Sequence, residues 1–144
     1  MRLTLHTDLA LRVLIYLALI GDNRATIQKI ASSYDISRNH LMKVVHKLGT
    51  LGYVRSVRGA GGGVELARQP EDIPLGELIS QVEPDFNLAE CFRPDNRCVI
   101  TPACRLPGFL DEALGEFRAA LDRYTLADLV QKEDQQPLRI LLRL

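Results

Sequence analysis

Thr26-Ile27-Gln28-Lys29-Ile30-Ala31-Ser32-Ser33-Tyr34-Asp35-Ile36-Ser37-Arg38-Asn39-His40-Leu41-Met42-Lys43-Val44-Val45-His46-Lys47-Leu48 reads as two short helices separated by a turn. Behind Thr26 as N-cap, the apolar positions 27, 30, 31 and 34 fall on one helix face. After Asp35-Ile36, Ser37 caps a second helix that runs from Arg38 to Leu48 and buries Leu41, Val44, Val45 and Leu48. Two helices joined in this way form a helix-turn-helix. Gly49 and Gly52 then stop the helix, and Tyr53-Val54-Arg55-Ser56-Val57 alternates as a strand does. Arg58-Gly59-Ala60-Gly61-Gly62-Gly63 is a turn, and Val64-Glu65-Leu66-Ala67 is the returning strand. Helix, helix and hairpin in that order predict a winged helix.

On the N-terminal side, Leu9 to Ile20 is apolar apart from Arg12 and predicts a buried helix beginning near Thr7. A membrane span needs about 20 apolar residues, so this stretch is too short. Asp8 and Arg12 interrupt any export signal, and Gly21-Asp22-Asn23-Arg24 follows in place of a small-residue cleavage site. The expected location is therefore cytoplasmic, where thiols stay reduced.

On the C-terminal side, Pro74 opens a helix with Leu75, Leu78, Ile79 and Val82 on one face, closed by Glu83-Pro84. Residues 85–106 lose periodicity and gather Pro94, Pro102 and all three cysteines. A loop of that length is usually functional or held by something. Pro107 starts a longer helix to about Tyr124, in which Phe109, Leu110, Ala113, Leu114, Phe117 and Leu121 make a wide apolar stripe. The stripe predicts a homodimer face, with packing inside its own chain as the alternative. Thr125 and Asp128 predict a capped short helix, and the tail from Leu138 to Leu144 is apolar without further pattern. The predicted class is mainly α with a small β-hairpin. Residues 1–72 form the winged helix-turn-helix, 73–84 a connecting helix, 85–106 a cysteine loop and 107–144 a dimerisation helix and tail.

Composition agrees with a single folded domain: 144 residues, 47% of them hydrophobic, supply a core and argue against disorder. Three cysteines are too few, and odd in number, for a disulfide scaffold. The formal net charge is zero, which on its face argues against a polyanion partner. Divided by position the sum is misleading. Residues 1–68 hold ten basic and four acidic side chains, and residues 69–144 hold eight basic and fourteen acidic ones. The helix-turn-helix half is thus cationic, as a partner of double-stranded promoter DNA needs to be.

The second helix of such a motif enters the major groove with its N-terminal residues against base edges. Those residues are Arg38, Asn39 and His40, preceded by Ser37. Arginine suits guanine and asparagine suits adenine. Lys43, Lys47 and Lys29 are placed for phosphates, which position the protein without reading sequence. Arg55 and Arg58, beside the glycines of the hairpin, are placed for the minor groove.

The cysteines are spaced Cys91-x6-Cys98-x5-Cys104, without the Cys-x2-Cys knuckle usual for structural zinc. Spacing leaves three readings open: an iron-sulfur cluster, a zinc ion that only holds the loop, or unliganded thiols. A cysteine enzyme with His6, His40 or His46 as base is disfavoured, because no oxyanion device accompanies the cysteines. No enzymatic activity is expected.

Five segments carry a resemblance: Met1-Arg2-Leu3-Thr4-Leu5-His6-Thr7-Asp8, Ser37-Arg38-Asn39-His40, Arg58-Gly59-x-x-Gly62-Gly63, Cys98-Val99-Ile100-Thr101-Pro102-Ala103-Cys104-Arg105-Leu106, and Tyr124-Thr125-Leu126-Ala127-Asp128-Leu129-Val130. Together they resemble the bacterial family of iron-sulfur winged-helix repressors, specifically its nitric-oxide-sensing members. The resemblance spans nearly the whole chain. It implies a homodimeric repressor with one cluster per subunit, [4Fe-4S] in the first instance and [2Fe-2S] as the alternative, held by Cys91, Cys98 and Cys104. It also implies a fourth ligand at Asp8, donated by the other subunit, and nitric oxide as the signal. A sibling that senses iron or cluster supply is the alternative within the family. One branch of the family ligates through a histidine three residues after the last cysteine, where this chain has Pro107. Another pairs a glutamate with a histidine where this chain has Asp8 and Arg12. Taken locally, Asp8 also has a plainer role, a carboxylate favourable to the dipole at a helix start.

Overall fold

A computed structural model describes residues 2–144; Met1, the first residue of the quoted opening segment, lies outside the described residues. The chain begins with helix α1 (Leu5–Ile20), two residues ahead of the expected start. The reason is Thr4, whose hydroxyl accepts the backbone N–H of Thr7 at 3.3 Å and caps the helix there. α1 buries Leu9, Ala10, Val13, Leu14, Tyr16, Leu17 and Leu19, and is the central strut of the core.

Helix α2 (Ile27–Tyr34) is capped by Thr26, which accepts the N–H of Lys29 at 3.1 Å. It ends on Asp35 in the left-handed conformation at φ 53°, whose N–H closes onto Ala31 and Ser32. Helix α3 (Arg38–Thr50) follows and buries Leu41, Val44, Val45 and Leu48. Ser37 occupies the N-cap position, but its side chain makes no capping bond.

Strands β1 (Val54–Val57) and β2 (Gly63–Leu66) pair antiparallel, Val54 opposite Leu66 and Arg55 opposite Glu65. Ala25, in the linker before α2, bridges to Val64 and adds a one-residue third strand. Gly63 permits this closeness, because a Cβ there would lie 2.8 Å from the Ala25 carbonyl oxygen. These elements make a winged helix-turn-helix.

After a 3-10 turn at Pro70–Asp72 comes helix α4 (Leu75–Val82). Pro74 is its N-cap with ψ 134°, not its first helical residue. Tertiary pairing imposes that extended angle: Leu75 donates to Tyr124 O and Leu126 donates to Ile73 O, each at 2.9 Å, across the Pro74–Thr125 bridge. The cysteine segment contains two 3-10 turns, Glu90–Phe92 and Thr101–Ala103. Helix α5 (Leu106–Leu121) begins one residue before Pro107 and stops short of the expected Tyr124. It packs on α4 at Gly76, where a Cβ would lie 2.2 Å from Asp122 Oδ1.

The tail holds more structure than its pattern suggests. A 3-10 turn at Ala127–Val130 leads into helix α6 (Lys132–Leu142), which contains Pro137 and docks on α1. Leu142 is buried, Leu138 packs against the core, and Arg139 donates to the carbonyl of Leu19 at 2.5 Å. A proline inside the helix and a polar first turn hide it from periodicity.

A candidate nucleic-acid interface and a cysteine loop

The N-terminal turn of α3 projects Arg38, Asn39 and His40 into solvent, opposite the buried stripe, with Ser37 exposed just before them. Lys43 and Lys29 are exposed and Lys47 is half-buried. Among the described residues, the ion pairs use Arg12, Arg24, Arg55 and Arg68, so Lys29, Arg38, Lys43, Lys47 and Arg58 carry unpaired charge. Met42, on the same helix, is 45% exposed. Sequence reasoning passed over it, although an apolar residue out of phase with the 41-44-45-48 stripe was the available signal. An exposed thioether there offers an apolar contact of the kind that suits a thymine methyl.

Arg55 is arranged differently from the other cations. Its Nε donates to Glu65 Oε1 at 2.5 Å, while Arg24 Nε donates to Oε2 of the same carboxylate, also at 2.5 Å. These two bonds, that of Arg24 first, hold the Glu65 carboxyl below the usual glutamate range. Arg58 lies exposed at the start of the glycine turn, where Gly59 and Gly61 take positive φ.

The three cysteines are free and half-buried on one loop. Short polar bonds shape it: Cys98 N donates to Asn96 Oδ1 at 2.9 Å, Asn96 Nδ2 to Thr101 Oγ1 at 2.9 Å, and Arg97 N to Glu90 Oε1 at 3.0 Å. Among the described residues no group of three or more His, Cys, Asp or Glu side chains is arranged to hold a metal ion. The donor chemistry does fit a thiophilic iron centre, with three free, half-buried thiols on one loop. Among the described residues the three thiols do not converge with one another or with a fourth donor.

Asp8 stands on the first turn of α1 in an ion pair with Arg12, Oδ2 to Nη2 2.9 Å. The Arg12 guanidinium also lies 5.9 Å from the centre of the Tyr34 ring, and Tyr34 donates to the Arg12 carbonyl at 3.0 Å. Burial is the main cause that pushes the Tyr34 phenol up to about 12.

Sequence reasoning missed Glu83, treating it only as the residue that closes α4. Its carboxylate accepts the N–H of Thr4 at 3.2 Å, the hydroxyl of Thr4 at 3.1 Å, and the hydroxyl of Thr7. The residue that precedes Pro84 and the cysteine segment is thereby bolted to the start of α1. No local pattern announces such a contact, since it joins positions 76 to 79 residues apart.

The apolar stripe of α5 is divided. Leu114 is 6% exposed in the single chain, so it packs within its own chain, and Leu121 packs on the core. Phe109 is 56% exposed, Ala113 is exposed, and Leu110 and Phe117 are half-buried. Val99, Ile100 and Leu106, within the cysteine segment, are exposed as well. No helix among the described residues is long and apolar enough to cross a membrane.

A family model described as "Rrf2: Iron-dependent Transcriptional regulator" matches residues 3–132. The chain belongs to the Rrf2 family. It is 53% identical over 137 residues to the HTH-type transcriptional regulator NsrR of Bacillus subtilis, covering 93% of this chain and 94% of that protein. Among solved Rrf2-like structures, T. potens IscR superposes with a TM-score of 0.71 at 25% identity, over 90% of this chain and 86% of that one. CymR, the global cysteine regulator of B. subtilis, gives 0.71 at 28% identity, over 90% and 95%. As an Rrf2 member the chain is a transcriptional regulator, and the unpaired cations of α3 and the wing are the surface on which its DNA binding is to be sought.

Proposed function

We propose that this Rrf2 regulator is a nitric-oxide-responsive repressor that binds promoter DNA as a homodimer. Arg38, Asn39 and His40 read base edges, with Ser37 beside them at the helix start. Lys29, Lys43 and Lys47 neutralise phosphates, and Arg58 enters the minor groove. Cys91, Cys98 and Cys104 hold an iron-sulfur cluster as thiolates, four-iron in preference to two-iron, and Asp8 of a second copy completes the ligand set. Phe109, Leu110, Ala113 and Phe117 form the dimer contact. We assign no catalytic role, and the choice of nitric oxide as the signal rests on the resemblance carried by the five segments quoted above.

The observation that carries this reading is the double attachment of α1. At its start, Thr4 and Thr7 are held by Glu83 at the threshold of the cysteine loop. Beyond its end, Ala25 is hydrogen-bonded to the wing. A 16-residue helix is about 24 Å long and rigid, so whatever fixes the loop also fixes the wing.

When bound, the cluster supplies iron that reacts with nitric oxide. Asp8 has two alternative partners, Arg12 within its own helix and the cysteine loop of the second copy. Asp8 engaged across the dimer would tie the two α1 helices together, and paired half-sites require recognition helices one turn of DNA apart, about 34 Å. Asp8 paired with Arg12 of its own helix would leave the two copies without that tie. A second reading, sensing of iron or cluster supply, draws on the family's iron-dependent description.

Mobility shift with anaerobically purified protein tests both. Repression by the first reading requires tight binding before nitric oxide and weak binding after it. Release by chelation but not by nitric oxide favours the second. Equal binding by all forms overturns both.

A further inference from the structure

The wing is small, with four residues in each strand and a tip built on Gly59 (φ 98°) and Gly61 (φ 75°). A two-stranded hairpin of this size is marginal by itself, so its direction depends on what grips its root. Two grips exist. Ala25 and Val64 exchange backbone hydrogen bonds of 3.1 and 2.8 Å. Beside them, the Glu65 carboxylate takes one arginine on each oxygen, Arg24 from the α1–α2 linker and Arg55 from β1, both at 2.5 Å.

Glu65 is directly opposite Arg55 in the hairpin, and Arg24 immediately precedes Ala25, so one carboxylate joins both strands to the linker. Its side chain is 9% exposed, against 41% for Arg24 and 68% for Arg55. An acid so covered is retained only when paired, because removing it from water unpaired is costly. The open cleft at this root, about 980 Å³, is lined by Arg24, Arg55 and Arg68 and by Asp22, Glu65, Glu71 and Asp72. Its arginines are thus outnumbered by carboxylates, which separates Arg55 from the unpaired cations of α3.

We infer that Glu65 is the positioning residue of the wing: by gripping Arg24 and Arg55 it fixes the angle at which Arg58 reaches DNA. Arg24 and Arg55 are the two arms of that grip, not phosphate contacts. The inference rests on Arg58 being the wing's groove contact, as in the proposed function.

A double-mutant cycle tests it, using full-length protein purified anaerobically and a duplex that the wild type selects from a randomised pool. Glu65→Gln keeps the shape and removes the charge. It is expected to weaken binding about tenfold, the scale of one lost groove contact. Arg58→Ala should do likewise, and the double variant should bind no more weakly than Arg58→Ala alone. Additive losses, or wild-type affinity for Glu65→Gln, overturn the inference. If Glu65→Gln does not fold, Arg24→Gln replaces it, since it removes an arm outside the hairpin and should show the same non-additivity with Arg58→Ala. Full affinity of Arg58→Ala would instead overturn the wing reading beneath it, so the two failures are distinguishable.

Discussion

The winged-helix half and the cysteine-loop half of this chain are held by different means. Up to Val82 each α-helix has a buried face, α1 and α2 are capped by threonine side chains, and the core is continuous through α1, α2, α3, the hairpin and α4. From Glu83 onward only Leu114, Leu126, Val130 and Leu142 are buried hydrophobics, while Val99, Ile100, Leu106, Phe109, Tyr124, Ile140 and Leu141 are exposed. The first half folds by its own apolar burial. The second contributes only Leu126, Val130 and Leu142 to that buried core, is tied on further by long-range polar bonds such as those of Glu83 and Arg139, and leaves apolar and thiol groups exposed or half-buried. This contrast matches the division of labour proposed above, a rigid reader coupled to a responsive sensor.

The contrast is broken most directly at the loop. Cys98→Ala should abolish iron loading, seen as loss of visible absorbance and of iron in anaerobic protein, while leaving urea unfolding of the winged helix unchanged. A fully coloured variant would remove Cys98 from the ligand set. Next in size, Leu48→Ala opens a cavity in a fully buried site and is expected to cost about 2–5 kcal/mol in urea unfolding. Phe109→Ala, at an exposed site, should leave unfolding of the monomer within about 0.5 kcal/mol. Its effect should appear in the dimer dissociation constant measured by sedimentation. Equal stability losses for the two would erase the distinction between the halves.

Within the reader, Arg38→Ala should weaken binding to the preferred duplex by about 1–3 kcal/mol and relax preference at one position, whereas Lys43→Ala should weaken all sequences alike and reduce the salt slope by about one. Binding titrations at several salt concentrations on preferred and random duplexes separate these effects. Identical losses on both duplexes would deny Arg38 a base contact.

The smallest expected effect concerns acid. The Glu65 carboxyl titrates below its usual range in the folded chain because Arg24 and Arg55 bond its ionised form. Its stabilisation is therefore complete at pH values above the ordinary glutamate range and is lost as pH falls through the lowered folded value. Glu65→Gln should flatten the acid limb of the wild-type curve of urea midpoint against pH. Parallel limbs would assign that sensitivity to other carboxylates.

The helix-turn-helix was legible because its helices announce themselves locally: Thr26 caps what it was expected to cap, and the 41-44-45-48 stripe is the buried face. Fold class and the cationic reader follow from such short-range spacing. The cysteine triplet was equally visible, but its arrangement was not, because three thiols on a loop acquire geometry only from what they bind. The α5 stripe was legible as apolar, but not which part of it is buried within the chain, as Leu114 is, and which meets solvent, as Phe109 does.

Sequence by itself determined the winged helix, the unequal halves of charge and the presence of three free thiols on one segment. These depend on residue type and on neighbours within one or two helical turns. Only the tertiary structure decided that Glu83 bolts the end of α4, just before the cysteine segment, to the start of α1, that Glu65 grips the wing through Arg24 and Arg55, and that a proline-containing α6 docks on α1. Glu83 and Arg24 join elements distant along the chain, and α6 owes its helix to packing on the core. No local period encodes such contacts: they form only when burial of the core brings those backbones within hydrogen-bonding reach.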